Sequence, residues 1–221
     1  ERDPNRLASR TARAFLGLRL DCAECHDHPF ADWKQSDFEG LAAFYGQVEL
    51  GMLGVYDADK DFMITDPGAA EGRVVEPKVP FHEELLPDEG GRRERLATWI
   101  THADNPYYAR AVCNRFWRLL FGRGLVEPPD NLESMDAVPG ILDFLAEDFR
   151  THGYDLNRLV RVIVSTRAFQ LGSAAHGPVT ESQEEAFAAY PVTRLRAEQL
   201  AGSLAQISSI QTIDRNSSLF T

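Results

Sequence analysis

The chain has little positive charge, few cysteines and no long apolar run. Its 221 residues carry 23 Lys and Arg against 34 Asp and Glu, a formal net charge of -11. Nucleic acids and anionic membranes reward Lys/Arg-rich surfaces, so this charge argues against general binding to either. No apolar run has the length of a transmembrane helix, and we expect no membrane insertion. A chain of this length can bury a core without disulfide staples, which agrees with its three cysteines.

Several sequence signatures of catalysis are absent as well. There is no glycine-rich phosphate loop, no Gly-x-Ser-x-Gly elbow and no His-Glu-x-x-His pair. Paired acids such as Glu83-Glu84 and Glu184-Glu185 are typical of solvated surface. No enzyme class follows from these patterns.

The stretch Cys22-Ala23-Glu24-Cys25-His26, followed by Asp27-His28-Pro29-Phe30, carries the distinctive chemistry of the chain. Two thiols three positions apart with an imidazole directly after them is the spacing that attaches a c-type haem. Each cysteine adds to one vinyl group of the porphyrin, and the histidine then lies under the iron. The spacing therefore predicts covalent haem c at Cys22 and Cys25, with His26 as proximal iron ligand.

Two other interpretations of the same stretch stay open. In the first, Cys22, Cys25, His26 and His28 hold a zinc or other metal ion, because thiolate and imidazole are good zinc ligands. Such a site usually draws a second ligand pair from elsewhere, and the chain has no second Cys-x-x-Cys and no His-x-x-x-His. In the second, the cysteines are reduced or disulfide-linked and the histidine is beside them by chance.

A haem would leave the other face of the iron to be filled. The candidate ligands are Met52, Met63, His82 and His102, and an open or water-filled position is an equal alternative. Met63 ranks first among them, because it lies in a strand-like run where side chains alternate in direction and one can point inward.

One predicted helix carries polar residues that could face a cofactor. Arg110, Asn114, Arg115 and Trp117 lie near one another at helical spacing, and an arginine there could pair with a haem propionate. The favoured interpretation is a surface arginine stacked on Trp117. Cys113 shares a face with apolar neighbours, which predicts a buried packing residue.

The periodicity predicts a mainly α fold of two helical lobes joined by a small β-ribbon and a Pro/Gly-rich linker. The predicted segments are a cytochrome-like lobe over 1–56, ribbon and linker over 57–91, and a second helical domain over 92–221. A helix over 4–20 should lead the chain to Cys22. A capping box from Ser36 to Glu39 predicts the next helix, and runs at 61–65 and 73–76 predict the ribbon.

Helix ends in the second lobe have their own signals. Asn105, followed by proline, is the predicted cap of a helix that Gly122 ends, and Asp155 is the predicted cap of a later helix.

Several segments of the sequence resemble a known family of domains. The first lobe resembles the C-terminal part of the planctomycetal cytochrome-like domain, and the second resembles the helical domain that follows it in large secreted proteins. The similarity lies at 15–30, Trp33, Gln35, 37–38, 41–44, 96–100, 105–117, 120–128 and 152–156. Because both domains are of poorly defined function, the resemblance implies fold and context more than activity.

Together the motif and the resemblance indicate an extracytoplasmic, monohaem, c-type cytochrome-like protein. It would transfer electrons alone or as the redox lobe of a larger oxidoreductase, with a redox protein or upstream and downstream domains as partners. Haem attachment occurs outside the cytoplasm, so we expect a periplasmic or secreted protein with an export signal upstream of Glu1. The alternative is a non-redox binding or structural module built on the metal site.

Overall fold

A computed structural model describes residues 3–66, 68–132, 139–173, 179–192, 194–195 and 197–207. Within these ranges the fold is mainly α, as predicted, with eight α-helices and two small antiparallel sheets. The helices are α1 Pro4–Thr11, α2 Gln35–Ala43, α3 Arg92–Ile100, α4 Tyr108–Phe121, α5 Gly140–Thr151, α6 Leu156–Val164, α7 Glu181–Glu185 and α8 Ala197–Ile207.

Each sheet is a two-stranded antiparallel pair. The predicted ribbon is present as β3 (Met63–Ile64) and β4 (Arg73–Val74), with Met63 opposite Val74. A second hairpin precedes it, formed by β1 (Val48–Gly51) and β2 (Gly54–Asp57). The sequence pattern does not predict that hairpin.

The chain divides into two compact units, Glu1–Phe169 and Gln170–Thr221. One buried cluster in the first unit combines Leu16, Phe38 and Phe44 from the predicted first lobe with Leu96 and Trp99 from the predicted second. The two predicted lobes therefore contribute to one core. The boundaries of the three predicted segments, 1–56, 57–91 and 92–221, stay a prediction. The second unit contains α7 and α8, whose described residues are exposed or half-buried.

The predicted helix over 4–20 ends four residues early. The α-helix ends at Thr11 and continues as a π-helix over Ala12–Leu16, which ends at the left-handed Gly17 with φ +66°. The side chain of Leu132 lies 2.8 Å from where a Cβ on Gly17 would stand, and Leu132 N donates to Gly17 O at 2.7 Å. Glycine is needed there both for the backbone conformation and for this close approach.

The start of α2 differs from the predicted capping box. The helix begins at Gln35, and Asp37 Oδ2 accepts a 3.0 Å hydrogen bond from Lys34 N, so the cap lies earlier than Ser36 and Glu39. Glu39 is instead only 7% exposed and binds Arg73 Nη2 through both carboxylate oxygens at 2.7 Å. This ion pair joins α2 to β4, a long-range contact that a local pattern does not reveal.

The ends of α4 and α6 follow their sequence signals. Gly122 ends α4 in the left-handed region, as predicted, and Asp155 caps α6 by accepting from Asn157 N and Arg158 N. The start of α4 differs, because Asn105 does not act as its cap. Asn105 is 4% exposed, accepts from Tyr107 N and donates to Trp99 O, which locks the turn between α3 and α4.

Candidate functional site

Both cysteines of the motif are exposed, unpaired thiols on one short turn. Asp21–Glu24 forms a single turn of 3-10 helix, and Cys25 N and His26 N each donate to Cys22 O at 3.4 Å. Ala23, between the two cysteines, is fully buried and fixes the turn to the core. The turn therefore presents both sulfur atoms to the outside.

The imidazole of His26 is oriented by the backbone. Its Nδ1 lies 2.8 Å from Asp27 O. A carbonyl oxygen can only accept, so in the neutral ring Nδ1 carries the proton and Nε2 keeps a lone pair. Metal-binding histidines are commonly held in this way, with the second ring nitrogen donating to a carbonyl or carboxylate. His26 thus has the tautomer that an iron ligand requires.

His28 has the opposite arrangement. Its Nδ1 accepts a 3.2 Å hydrogen bond from Phe30 N, so in the neutral ring the proton is on Nε2. Its backbone N donates to Trp33 O at 2.8 Å, which closes the loop after the motif. Over the described ranges, no group of three or more His, Cys, Asp and Glu side chains is placed to hold a metal ion. Cys22, Cys25, His26 and His28 are therefore not positioned together as a metal site here. A metal ion bound by these four residues stays a prediction.

Two carboxylates hold the motif turn against its neighbours. Asp21 accepts from Ser9 Oγ and from Arg13, whose Nη2 lies 2.6 Å away. Burial alone would raise the pKa of Asp21, but these hydrogen bonds and the charge of Arg13 outweigh it and lower the pKa. On the other side, Asp27 Oδ1 accepts from Gln35 N at 2.9 Å, which ties the loop to the start of α2.

The predicted distal ligands lie in different surroundings. Met63 lines a cavity of about 280 Å³ together with Glu24, the residue directly before Cys25. Met52 is fully exposed at the turn between β1 and β2. His82 Nδ1 lies 2.7 Å from Glu84 Oε1, and His102 Nδ1 accepts from Asp104 N at 3.1 Å. Met63 thus shares a cavity with the motif, but it is 59% exposed and does not point inward as expected. Its role as a ligand stays a prediction.

The polar residues of α4 have structural partners that the sequence did not suggest. Arg115 Nη2 donates to Arg13 O at 2.6 Å, and Arg110 Nε donates to Asp143 Oδ1 at 2.6 Å. Trp117 stacks on Phe121, with ring centroids 4.4 Å apart. These contacts hold α4 in place, and none of them was predicted from the spacing along the helix.

Cys113 is a packing residue, as predicted. It is fully buried, and burial together with the nearby charge of Asp148 raises the pKa of its thiol to about 12. A thiol with so high a pKa is mostly protonated at neutral pH and reacts slowly. Of the three thiols, those of Cys22 and Cys25 are therefore the accessible ones.

Two family models match the chain, one over the helical segment and one over the segment that contains the motif. Residues 92–217 match the family PSD1, described as a protein of unknown function (DUF1553). The chain belongs to this family. Residues 1–50, which include the Cys22–His28 stretch, match PSCyt2, also described as a protein of unknown function (DUF1549). Searches of curated proteins and of solved structures return no match.

Both matched families are planctomycete-type domain families, as the resemblance in the sequence implies. The PSD1 match begins at Arg92, the first residue of α3, and the PSCyt2 match ends within β1. Neither description names a cofactor or an electron-transfer role. In the part of this PSD1 protein that the structure describes, no helix is long and apolar enough to cross a membrane.

Proposed function

We propose that the Cys22–His26 turn carries a covalently attached haem c and that the protein transfers electrons through it. The observation that carries this proposal is the state of His26, whose Nδ1 is held by Asp27 O at 2.8 Å while both neighbouring thiols are exposed and unpaired. This arrangement supplies two nucleophilic sulfur atoms and one imidazole lone pair on a single turn. Haem c uses these groups, because the two thiols form the thioether bonds and the imidazole nitrogen binds the iron.

Each residue of the turn has one task in this proposal. The thiols of Cys22 and Cys25 would each add S–H across one vinyl C=C bond, and the two thioether bonds would hold the porphyrin on the chain. His26 offers Nε2 to the iron, and the carbonyl of Asp27 keeps the ring in that orientation. When bound, the haem supplies a centre that gains and loses one electron at a time.

In this proposal the chain is the redox lobe of an extracytoplasmic oxidoreductase. Haem attachment to a Cys-x-x-Cys-His motif takes place outside the cytoplasm, so the proposal places the protein in the periplasm or outside the cell. Its partners are a redox protein or domains upstream and downstream in a longer chain. Met63, on the cavity that Glu24 also lines, is the proposed sixth ligand.

Visible absorption after expression with a c-type maturation system tests the attachment. We expect a haem spectrum that stays with the polypeptide after acid-acetone extraction. Cys22→Ala and Cys25→Ala should each weaken or abolish covalent attachment, and the matched control Cys113→Ala should keep it, because that thiol is fully buried.

A colourless protein would contradict the proposal. Stoichiometric zinc in that colourless protein would favour the alternative binding or structural module at Cys22, Cys25, His26 and His28. Attachment that depended on Cys113 would contradict the assignment of the two exposed thiols.

A further inference from the structure

A second polar cleft lies away from the motif, between the start of α4 and α5. It has a volume of about 320 Å³. That is room for roughly ten water molecules at their liquid volume, and so for a ligand about the size of one sugar ring. Its walls combine small apolar residues with charged ones, and the residues that matter here are Asp104, Asn105, Arg110, Asp143, Glu147 and Arg150.

The charged walls are already arranged in pairs. Arg110 donates from Nε to Asp143 Oδ1 at 2.6 Å and from Nη1 to Pro106 O at 3.1 Å. Arg150 donates from Nε and Nη2 to both oxygens of Glu147, with distances of 2.7 to 3.0 Å. Side chains held in this way lose little conformational entropy when a ligand binds. The cleft is therefore preorganised.

The same pairs select the charge of the ligand. An anion drawn to Arg110 or Arg150 would meet the carboxylates of Asp143 and Glu147, and Asp104 on the rim. A cation drawn to those carboxylates would meet the two guanidinium groups. A hydroxyl group is repelled by neither partner of the pair. It can accept from the guanidinium N–H and donate to the carboxylate at the same time. The pairs favour a neutral ligand rich in hydroxyl groups.

The remaining wall fits the carbon face of such a ligand. Pro106, Ala109 and Ala146 line the cleft and present only apolar atoms from their side chains. The turn that carries Pro106 is fixed by Asn105, which is 4% exposed and bonded to Trp99 O and Tyr107 N. The cleft thus combines apolar side chains with hydrogen-bond donors and acceptors, the two elements of a small-molecule site, although it is more polar than most.

We propose that this cleft between α4 and α5 binds a small, neutral, polyhydroxylated ligand such as one pyranose unit of a glycan. The proposal is independent of the haem, because none of its residues belongs to the Cys22–His28 stretch. Binding would place a sugar-recognition site on the same compact unit as the motif turn.

Nuclear magnetic resonance titration of the full chain tests the site. The probes are methyl β-glucopyranoside, methyl β-galactopyranoside and methyl α-mannopyranoside, with sodium sulfate and methylammonium chloride as charged probes. We expect at least one glycoside to shift the Nε resonances of Arg110 and Arg150 and the side-chain amide of Asn105. Neither charged probe should do so.

Two variants connect the shifts to the cleft. Arg110→Gln and Glu147→Gln should each weaken binding of that glycoside about tenfold or more, since each removes charge-assisted hydrogen bonds. The control Arg161→Gln removes an exposed guanidinium from α6, outside the cleft, and should leave the affinity unchanged. Thermal unfolding of each variant verifies that it is folded.

Several results would overturn the proposal. Shifts with sulfate or methylammonium alone would mean a site for charged ligands, and no shift with any of the three glycosides would mean no sugar site. Equal affinity in Arg110→Gln and the unmodified chain would place the bound glycoside elsewhere. A failure to attach haem, in contrast, has no bearing on these outcomes.

Discussion

Arg115 Nη2 donates a hydrogen bond of 2.6 Å to the carbonyl oxygen of Arg13. The side chain of Arg13 in turn binds Asp21, the residue directly before Cys22, through Nε at 2.9 Å and Nη2 at 2.6 Å. Helix α4 of the PSD1-matched segment is thus connected to the motif turn through a single residue. Through Arg13 the helical segment therefore supports the motif turn.

Arg115→Leu should lower the free energy of unfolding of the first unit by about 1–3 kcal/mol, because it removes a part-buried, charge-assisted hydrogen bond. Urea unfolding followed by circular dichroism measures this. The exposed Arg161 on α6 provides the control, and Arg161→Leu should change the midpoint little. Equal effects of the two substitutions would argue that the contact with Arg13 contributes nothing.

Asn114→Ala should destabilise the protein more strongly. Asn114 is fully buried, accepts from Val126 N at 3.0 Å and donates to Val126 O at 2.9 Å. Removing it leaves two backbone groups without these partners, at a cost of about 2–4 kcal/mol. The same unfolding experiment measures it, with the half-exposed Leu119→Ala on the same helix as the control. A loss no larger than that of Leu119→Ala would contradict the account of this contact.

Thiol labelling of the haem-free protein at pH 8 should distinguish the cysteines. Cys22 and Cys25 are exposed and should react rapidly with a chromogenic disulfide. Cys113 should react only after unfolding, because it is buried and its pKa is raised to about 12. Cys113→Ala should leave the rapid phase unchanged. A third rapid thiol would show that Cys113 is accessible.

Met63→Ala should change the spectrum of the haem-loaded protein. If Met63 is the sixth ligand, its removal converts a low-spin spectrum to a high-spin one and lowers the reduction potential. Met52→Ala is the matched control, because Met52 is fully exposed on the neighbouring hairpin. An unchanged spectrum in Met63→Ala would remove Met63 as ligand and favour an open position.

The sequence predicted what local patterns determine. The helical class, the ribbon at Met63 and Val74, the end of α4 at Gly122 and the cap at Asp155 all depend on residues close together in the chain. Burial of Cys113 followed from its apolar helix face. In each case a signal within a few residues was enough.

Long-range contacts determined what the sequence did not predict. Gly17 ends the first helix under Leu132, which is far away in the sequence. Glu39 lies in the apparent capping box but binds Arg73 on β4. Such pairings depend on the folded chain and leave no periodic pattern. At the site, the spacing predicts Cys22, Cys25 and His26 as haem-binding residues, and this stays a prediction. The contact of His26 Nδ1 with Asp27 O is local in the chain, but no residue pattern indicates it.

The mass of the denatured polypeptide tests the central proposal most directly. The protein is expressed with a c-type maturation system, unfolded, and measured beside the Cys22→Ala/Cys25→Ala double variant. The account predicts the mass of the chain plus one haem for the unmodified protein and the chain mass alone for the variant. A chain mass without haem in both proteins would contradict it.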